Sequence, residues 1–292
     1  MVSAGLIHWT NATWKKFPFV QGRVGRRSII LTAGFTGGLR SPGRQDRLYI
    51  AGQGVFLIAH RIASLYTMGQ TMPQRMDPVD AMIKITVFGA TGRTGRAVIA
   101  LALTQGMEVT AYARKAAALQ ELAGRITINE GSLDDADRIA GAISHADAVV
   151  IAFGPRKGGP QVFCAQATQL IISAMKAKGV RRLVCITGAL IGEQYPNRGL
   201  FYRTMRRLLV RKAPHLMLDR DGQETIVMNS GLDWTVFKPP RLMNGADRPG
   251  TQLGPDLVIG PAARTTVGSL ATAILGELLG SQFVRKTVFI RS

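Results

Sequence analysis

A short apolar strand that runs into a glycine turn and on into a helix leaves a chain few folds to choose from. Residues 83–88 (IKITVF), followed by Gly89-Ala90-Thr91-Gly92-Arg93-Thr94-Gly95, form such a sequence. Val98, Leu101 and Ala102 then recur at helical spacing until Gly106. The unit repeats. Strands are predicted at 108–113, 126–130, 147–153, 181–187, 233–237 and 286–290. Helices are predicted at 115–123, 134–143, 160–178, 199–212, 222–230 and 265–279. Strands separated by helices of this length pair in parallel through right-handed crossovers. The unbroken AVVIAF at 148–153 suits a strand covered on both faces. Neither a Pro/Ser linker nor a repeat interrupts 82–292, so the expectation is a single α/β domain, a Rossmann-type doubly wound parallel sheet.

The turn itself suggests a ligand. The uncompensated N–H groups and positive dipole end of a helix that opens on a glycine turn favour a pyrophosphate. Gly89 would make the turn, Gly92 would admit the phosphates, and Gly95 would bring the helix close to the sheet. The second strand ends in Tyr112-Ala113-Arg114-Lys115, where an NAD-preferring site would place an acid. Adjacent cations suit a 2′-phosphate, so NADP(H) is expected over NAD(H), with Arg114 as its main contact and Arg93 as a second candidate.

Charge is the other strong feature. Against 18 Asp+Glu stand 37 Lys+Arg, a formal +19 in a chain that is 46% hydrophobic, too apolar for a disordered basic tail. Residues 1–81 carry ten of the cations and three of the acids, Asp46, Asp77 and Asp80. They lack sustained periodicity, and little stable structure is expected over the first 75 or so. An Arg-rich targeting segment, a nucleic-acid-binding arm and an upstream extension without a fold of its own compete to explain them. The abrupt onset of organised sequence at Met82 favours the third, which leaves 82–292 as the nucleotide-binding domain. The expected location is cytoplasmic, with organelle targeting the competing account. No run of about 18 apolar residues suggests a membrane span.

Cys164 and Cys185 stand in apolar surroundings and read as small buried hydrophobes. Neither they nor the four scattered histidines have metal-ligand spacing, so no metal is expected. Asp134, Asp135 and Asp137 follow Ser132 and read as the acidic start of a helix.

The turn GATGRTG, the segment IAFGPRKG, the helix end AMKAKGV and the run SGLDWTVFKPPRL, in that order, resemble the atypical short-chain dehydrogenase/reductase family around biliverdin reductase B, the NADPH flavin reductases. They resemble the NmrA-like NAD(P)-binding proteins more distantly. The likeness covers 82–290. It implies a Rossmann domain that binds NADPH and reduces a flavin-, quinone- or tetrapyrrole-like acceptor. Carried onto this chain, Gly89, Thr91, Gly92, Arg93, Thr94 and Gly95 would hold the pyrophosphate and Arg114 the 2′-phosphate. Gly154, Pro155 and Arg156 would line the nucleotide, Thr187 and Gly188 the nicotinamide side, and Pro239 and Pro240 the loop over it. Ser132 and Leu133 would meet the adenine through backbone groups, since Ser132 stands where the family commonly has Asp. Gly188 stands where relatives often carry Ser, and Glu224 aligns with a His of biliverdin reductase B.

Short-chain dehydrogenases usually pair Tyr-x3-Lys for proton exchange, and this chain has none. Tyr202 with Arg206 is the nearest approximation, on a helix whose cations Arg198, Arg203, Arg206, Arg207, Arg211 and Lys212 read as a solvated face. Tyr202 and Glu224 are therefore the weak catalytic candidates, and water is the expected proton source. The resulting expectation is an NADPH-dependent oxidoreductase with a small-molecule acceptor, monomeric or dimeric. A non-catalytic dinucleotide sensor of the NmrA-like type is the alternative. A nucleic-acid partner is disfavoured, because no RNP, KH or helix-turn-helix signature accompanies the charge.

Overall fold

The computed structural model describes residues 7–10, 13–16, 82–155, 162–192 and 195–292. Strands β1 (Ile7–Thr10) and β2 (Thr13–Lys16) pair antiparallel in a unit of their own. This hairpin corrects the expectation of little stable structure at its eight residues, which are too few for a period to show; the rest of the basic extension lies outside the described residues.

Asp80–Ser292 form the second compact unit. Its strands are β3 (Lys84–Phe88), β4 (Glu108–Ala113), β5 (Thr127–Glu130), β6 (Ala148–Ile151), β7 (Arg182–Ile186), β8 (Asp233–Lys238), β9 (Arg241–Met243), β10 (Gln252–Gly254), β11 (Arg264–Thr266) and β12 (Lys286–Arg291). Its helices are α1 (Arg93–Thr104), α2 (Ala136–Ile143), α3 (Cys164–Ala177), α4 (Leu200–Lys212), α5 (Pro214–Met228) and α6 (Val267–Gly280). The main sheet runs β10-β12-β8-β7-β6-β3-β4-β5, every pairing parallel except that of the edge strand β10 with β12. This is the expected Rossmann-type doubly wound sheet.

Both sheet faces are dry, which explains the unbroken apolar runs. Along β7, Val184 and Ile186 join one core with Val98 and Ile99 of α1 and Leu270 and Ile274 of α6. Leu183 and Cys185 point to the other, among Ile139 and Ile143 of α2, Ile171 and Met175 of α3, and Val227 of α5. Both cysteines are buried and free, as expected, and burial raises the Cys164 thiol to about 11 and the Cys185 thiol to about 12.

The chain climbs from β3 through β4 to β5 on one side of β3, then crosses to β6 on the other. That reversal opens a crevice at the carboxyl ends of β3 and β6, where open α/β sheets bind their ligands.

Several predicted elements differ. The helix expected at 115–123 is a 3-10 segment, Ala116–Leu122, broken at Leu119 (φ −128°, ψ 20°). Its groups bond outward: Ala116 N donates to Glu130 Oε2 at 2.6 Å and Arg96 takes the Ala118 carbonyl. The helix expected from 160 begins at Cys164; 156–161 lie outside the described residues. The helix expected at 222–230 starts eight residues earlier, with Pro214 in its first turn, where a missing N–H costs nothing. Asp135, not Ser132, caps α2, accepting from Arg138 N at 3.0 Å.

Candidate functional site: the crevice at the end of the sheet

The turn is shaped by contacts that only glycine permits. Gly89 has φ +84°, and a Cβ there would stand 2.6 Å from Phe153 N. A Cβ on Gly95 would stand 2.3 Å from the Gly89 carbonyl oxygen, so Gly95 holds α1 against the turn. Gly92 N donates to Gly89 O at 3.0 Å. No side chain caps α1 and no acid lies in its first turn, so its dipole end faces the crevice uncompensated.

Two cavities meet there, sharing Gly89, Thr91, Phe153 and Gly154. The smaller, about 290 Å³, is bounded by Arg114, Ser132, Leu133 and Tyr112. Tyr112 donates to the Ser132 carbonyl at 2.8 Å, and its phenol, raised to about 12 chiefly by burial, occupies space that a side chain at Gly131 would fill. The larger, about 890 Å³, takes in Gly92, Arg93, Thr94, Pro155, Thr187, Gly188, Pro239 and Pro240. Beyond them it is walled by Phe201, Tyr202, Met205, Leu209, Leu216 and Met217.

The structure thus brings together the sequence-selected residues from the loops after six strands, β3 to β8, but Gly95, Arg156 and Glu224 are not among them. Gly95 is packed behind the turn and lines neither cavity. Arg156 lies outside the described residues. Arg93 borders the larger cavity only, with Nη1 donating to Asn244 Oδ1 at 2.9 Å, whereas Arg114 borders the smaller.

The reading of α4 as a solvated face is corrected at three positions. Tyr202 is buried and lines the cavity. Arg206 is buried, paired with Asp221 Oδ2 at 2.6 Å, and donates to the Leu190 carbonyl at 2.9 Å. Arg198, just before the helix, is buried and donates to the carbonyls of Ile191 and Gly192.

Glu224 does not reach the cavity. It is buried behind Thr187, whose Oγ1 donates to Glu224 Oε2 at 2.8 Å. The same carboxylate accepts from Tyr195 Oη and from Lys238 Nζ, each at 2.5 Å. Lys238 is fully buried; it also donates to Ile191 O at 2.7 Å and lies 4.3 Å from the centre of the Tyr195 ring. Burial pushes the Lys238 ammonium down to about 8, against the pull of Glu224, while burial and Glu224 raise the Tyr195 phenol. Thr187, Glu224 and Lys238 therefore form a hydrogen-bonded chain from the cavity wall to an interior ammonium whose proton burial loosens.

Arg220 is buried as well, with Nη2 donating to Thr187 O at 2.8 Å and Nη1 to Phe153 O at 3.4 Å, which ties the ends of β6 and β7 together. Asp219 accepts from the N–H groups of Phe163, Cys164 and Ala165 and so caps α3. Sequence reasoning missed Tyr195, Lys238, Asp219 and Arg220. One signal was available for Lys238: a lysine that closes the apolar strand DWTVFK has no solvent to reach and needs an acid nearby.

Among the described residues no group of three His, Cys, Asp or Glu could hold a metal ion, and no helix is long and apolar enough to cross a membrane.

Comparison with known proteins agrees with this geometry. The uncharacterized protein YwnB of Bacillus subtilis (strain 168) is 29% identical over 203 residues, 67% of this chain and 92% of its own length. A short-chain dehydrogenase/reductase from Veillonella parvula DSM 2008, solved in complex with NADP, superposes with a TM-score of 0.58 at 19% identity, covering 72% of this chain and 94% of that one. ChuY, an anaerobilin reductase from Escherichia coli O157:H7, gives 0.59 at 21% identity over 71% and 96%. At such identities these structures attest the fold. The sequence profile of the NAD(P)H-binding family matches residues 89–278, well over half the chain and the whole of the crevice described above, and the protein belongs to that family.

Proposed function

We propose that the protein is an NADPH-dependent oxidoreductase that reduces a conjugated planar acceptor of the flavin, quinone or tetrapyrrole kind. The observation that carries this reading is the apolar extension of the larger cavity, which leaves room for a second flat molecule beside Thr187, Gly188, Pro239 and Pro240. That one solved neighbour is named an anaerobilin reductase and another was crystallised with NADP supports it.

The residues present fit the nucleotide. The uncapped turn of α1 suits a pyrophosphate, and Arg114, with no acid at the end of β4, suits a 2′-phosphate. Gly154 and Pro155 would border the nucleotide, and the backbone at Ser132 and Leu133 the adenine. NADPH, when bound, supplies the hydride.

The chain's own part is to orient and to protonate. Pro239, Pro240 and Gly188 would border the nicotinamide side, while Phe201, Tyr202 and Leu209, which wall the rest of the cavity, would keep water from the acceptor. For protonation the Thr187 hydroxyl would turn from Glu224 to the reduced acceptor and give up its proton; Glu224 would return one to Thr187 as it takes one from Lys238, and solvent would reprotonate Lys238 between turnovers. This differs from the water-only proton supply expected from sequence.

The test is NADPH oxidation by the full chain with FMN, a soluble short-chain quinone and a linear tetrapyrrole, alongside NADPH and NADP+ binding by calorimetry. Turnover with one of them is expected. Tight binding with no turnover across the panel would overturn the reading in favour of a non-catalytic sensor.

A further inference from the structure

The exposed side of α4 and the start of α5 extend beyond the crevice. Phe201, Met205 and Leu208 follow one another at i, i+4 and i+7, a single stripe along α4. Phe201 and Met205 line the larger cavity, so the stripe continues the cavity wall out to the surface. Phe201 and Leu208 are exposed, as are Leu200 at the start of the helix and, near the start of α5, Leu218, the last with 73% of its surface in solvent. Single exposed apolar residues are ordinary; several on adjoining turns beside a cavity mouth are a patch.

The charge on the same helix has one sign. Residues 200–212 contain no acid, and Arg203, Arg207, Arg211 and Lys212 are exposed. Arg203 is engaged with the carbonyls of Pro196 and Arg198. Arg207, Arg211 and Lys212 make no hydrogen bond or ion pair among the described residues. A helix with apolar residues on one side, unpaired cations beside them and no acid matches an anionic bilayer, where the apolar side chains enter the acyl boundary and the cations meet headgroup phosphates. An acidic protein surface would answer the charge but would leave the protruding Leu200, Leu218 and Phe201 without a counterpart.

We infer that α4 and the first turn of α5 dock the protein on an anionic lipid surface, which brings the cavity mouth to the membrane so that the acceptor is a lipid-borne quinone. The choice of acceptor rests on the oxidoreductase reading above; the docking does not. Phe201 and Met205 would then stand at the threshold between lipid and cavity, and an apolar quinone ring could enter without crossing water.

Docking is tested by co-sedimentation of the full chain with vesicles of phosphatidylcholine alone and of phosphatidylcholine with 30% phosphatidylglycerol. Binding to the anionic vesicles only, reversed by half-molar salt, is expected. Two variants place the surface. Arg207→Gln with Arg211→Gln should weaken binding roughly tenfold or more, and Leu208→Asn with Leu218→Asn should weaken it at both salt concentrations. Unchanged calorimetric binding of NADPH shows that each variant is folded. Variants that sediment like the wild type would overturn the inference, since the basic N-terminal extension common to all would then account for the binding. So would retention by an acidic polypeptide or RNA in place of vesicles.

The acceptor is tested with a short-chain quinone in solution and a long-chain one in the same vesicles. Faster turnover of the vesicle-borne quinone, lost in the Leu208→Asn/Leu218→Asn variant while the soluble quinone is still reduced, supports it. Equal rates on plain and anionic vesicles sink the docking proposal alone, and no turnover of the soluble quinone sinks the oxidoreductase reading instead.

Discussion

Lys238 Nζ lies 2.5 Å from Glu224 Oε2, and neither side chain exposes more than 3% of its surface. Removing one partner of such a pair leaves the other charge buried without compensation, whereas replacing both with apolar groups of similar volume is close to neutral. Glu224→Leu alone should therefore cost about 3–5 kcal/mol, and Glu224→Leu with Lys238→Met much less than the sum of the single changes. Urea titration of the four proteins measures this; additive losses would show that the two side chains do not act as a pair.

The same lysine makes stability depend on pH. Its ordinary value is 10.5 and burial lowers it to about 8, with Glu224 and Asp221 pulling it up and Arg198 pushing it down. Between those values the unfolded chain holds a proton that the folded chain has released, so folding becomes more favourable as pH rises from 8 towards 10.5. The burden of the buried charge is at its full size below pH 8. Relative to Lys238→Met, the wild type should gain roughly 1 kcal/mol per pH unit across that window, up to the limit of about 1.4 per unit set by one proton. A stability difference that stays flat from pH 7 to 10 would show that Lys238 does not titrate there.

Thr187 connects that interior pair to the cavity. Thr187→Val keeps the shape and removes the hydroxyl that donates to Glu224 at 2.8 Å. NADPH binding should be unchanged while kcat for the acceptor falls roughly a hundred- to ten-thousandfold, the usual scale for a positioned proton donor. An unchanged kcat would return the proton supply to water.

Arg114 gives the cofactor preference its sharpest test. It borders the smaller cavity where β4 ends, and the strand end itself carries no carboxylate to hold a ribose hydroxyl; the carboxylate that lines this cavity, Asp134, stands after β5 beside Leu133. Arg114→Ala should weaken NADPH roughly tenfold or more and leave NADH unaffected, because only the former carries the 2′-phosphate. Calorimetry with both nucleotides decides it; a preference for NADPH that survives the substitution means another group holds the phosphate.

What could be read from the sequence was local. The β3 turn places its glycines, its uncapped helix and its packing contact within seven residues, and the two-sided core shows in the apolar runs of β6 and β7. What could not be read depends on partners far along the chain. The charged run Asp219-Arg220-Asp221 lies just before the helix expected from 222, and its place within α5 depends on what each side chain meets. In the fold Asp219 meets the start of α3, Arg220 the ends of β6 and β7, and Asp221 the guanidinium of Arg206. Arg206 read as exposed because it stands among other cations on its helix, and only the fold brings Asp221 to it. The short strands β9, β10 and β11, three residues each, carry too few side chains for any period to show.

Two glycines separate packing from propensity. In the first turn of α1, an alanine at Gly95 would press its Cβ against the Gly89 carbonyl oxygen at 2.3 Å and Ala90 Cα at 2.9 Å, both backbone atoms that cannot swing aside. The helix would have to retreat from the turn, which costs about 1–3 kcal/mol in overpacking and moves the N–H groups that face the crevice. Gly276 is an exposed position in the middle of α6, has no positive φ, and would meet nothing within 4 Å. There the only change is the lower backbone entropy of alanine in the unfolded chain, worth about 0.5–1 kcal/mol in favour of folding. Thermal unfolding should thus move down for Gly95→Ala and up for Gly276→Ala, and calorimetry should show NADPH binding weakened only by the first. Retained affinity in a folded Gly95→Ala protein would mean that the phosphate site does not depend on the close approach of α1 to the turn.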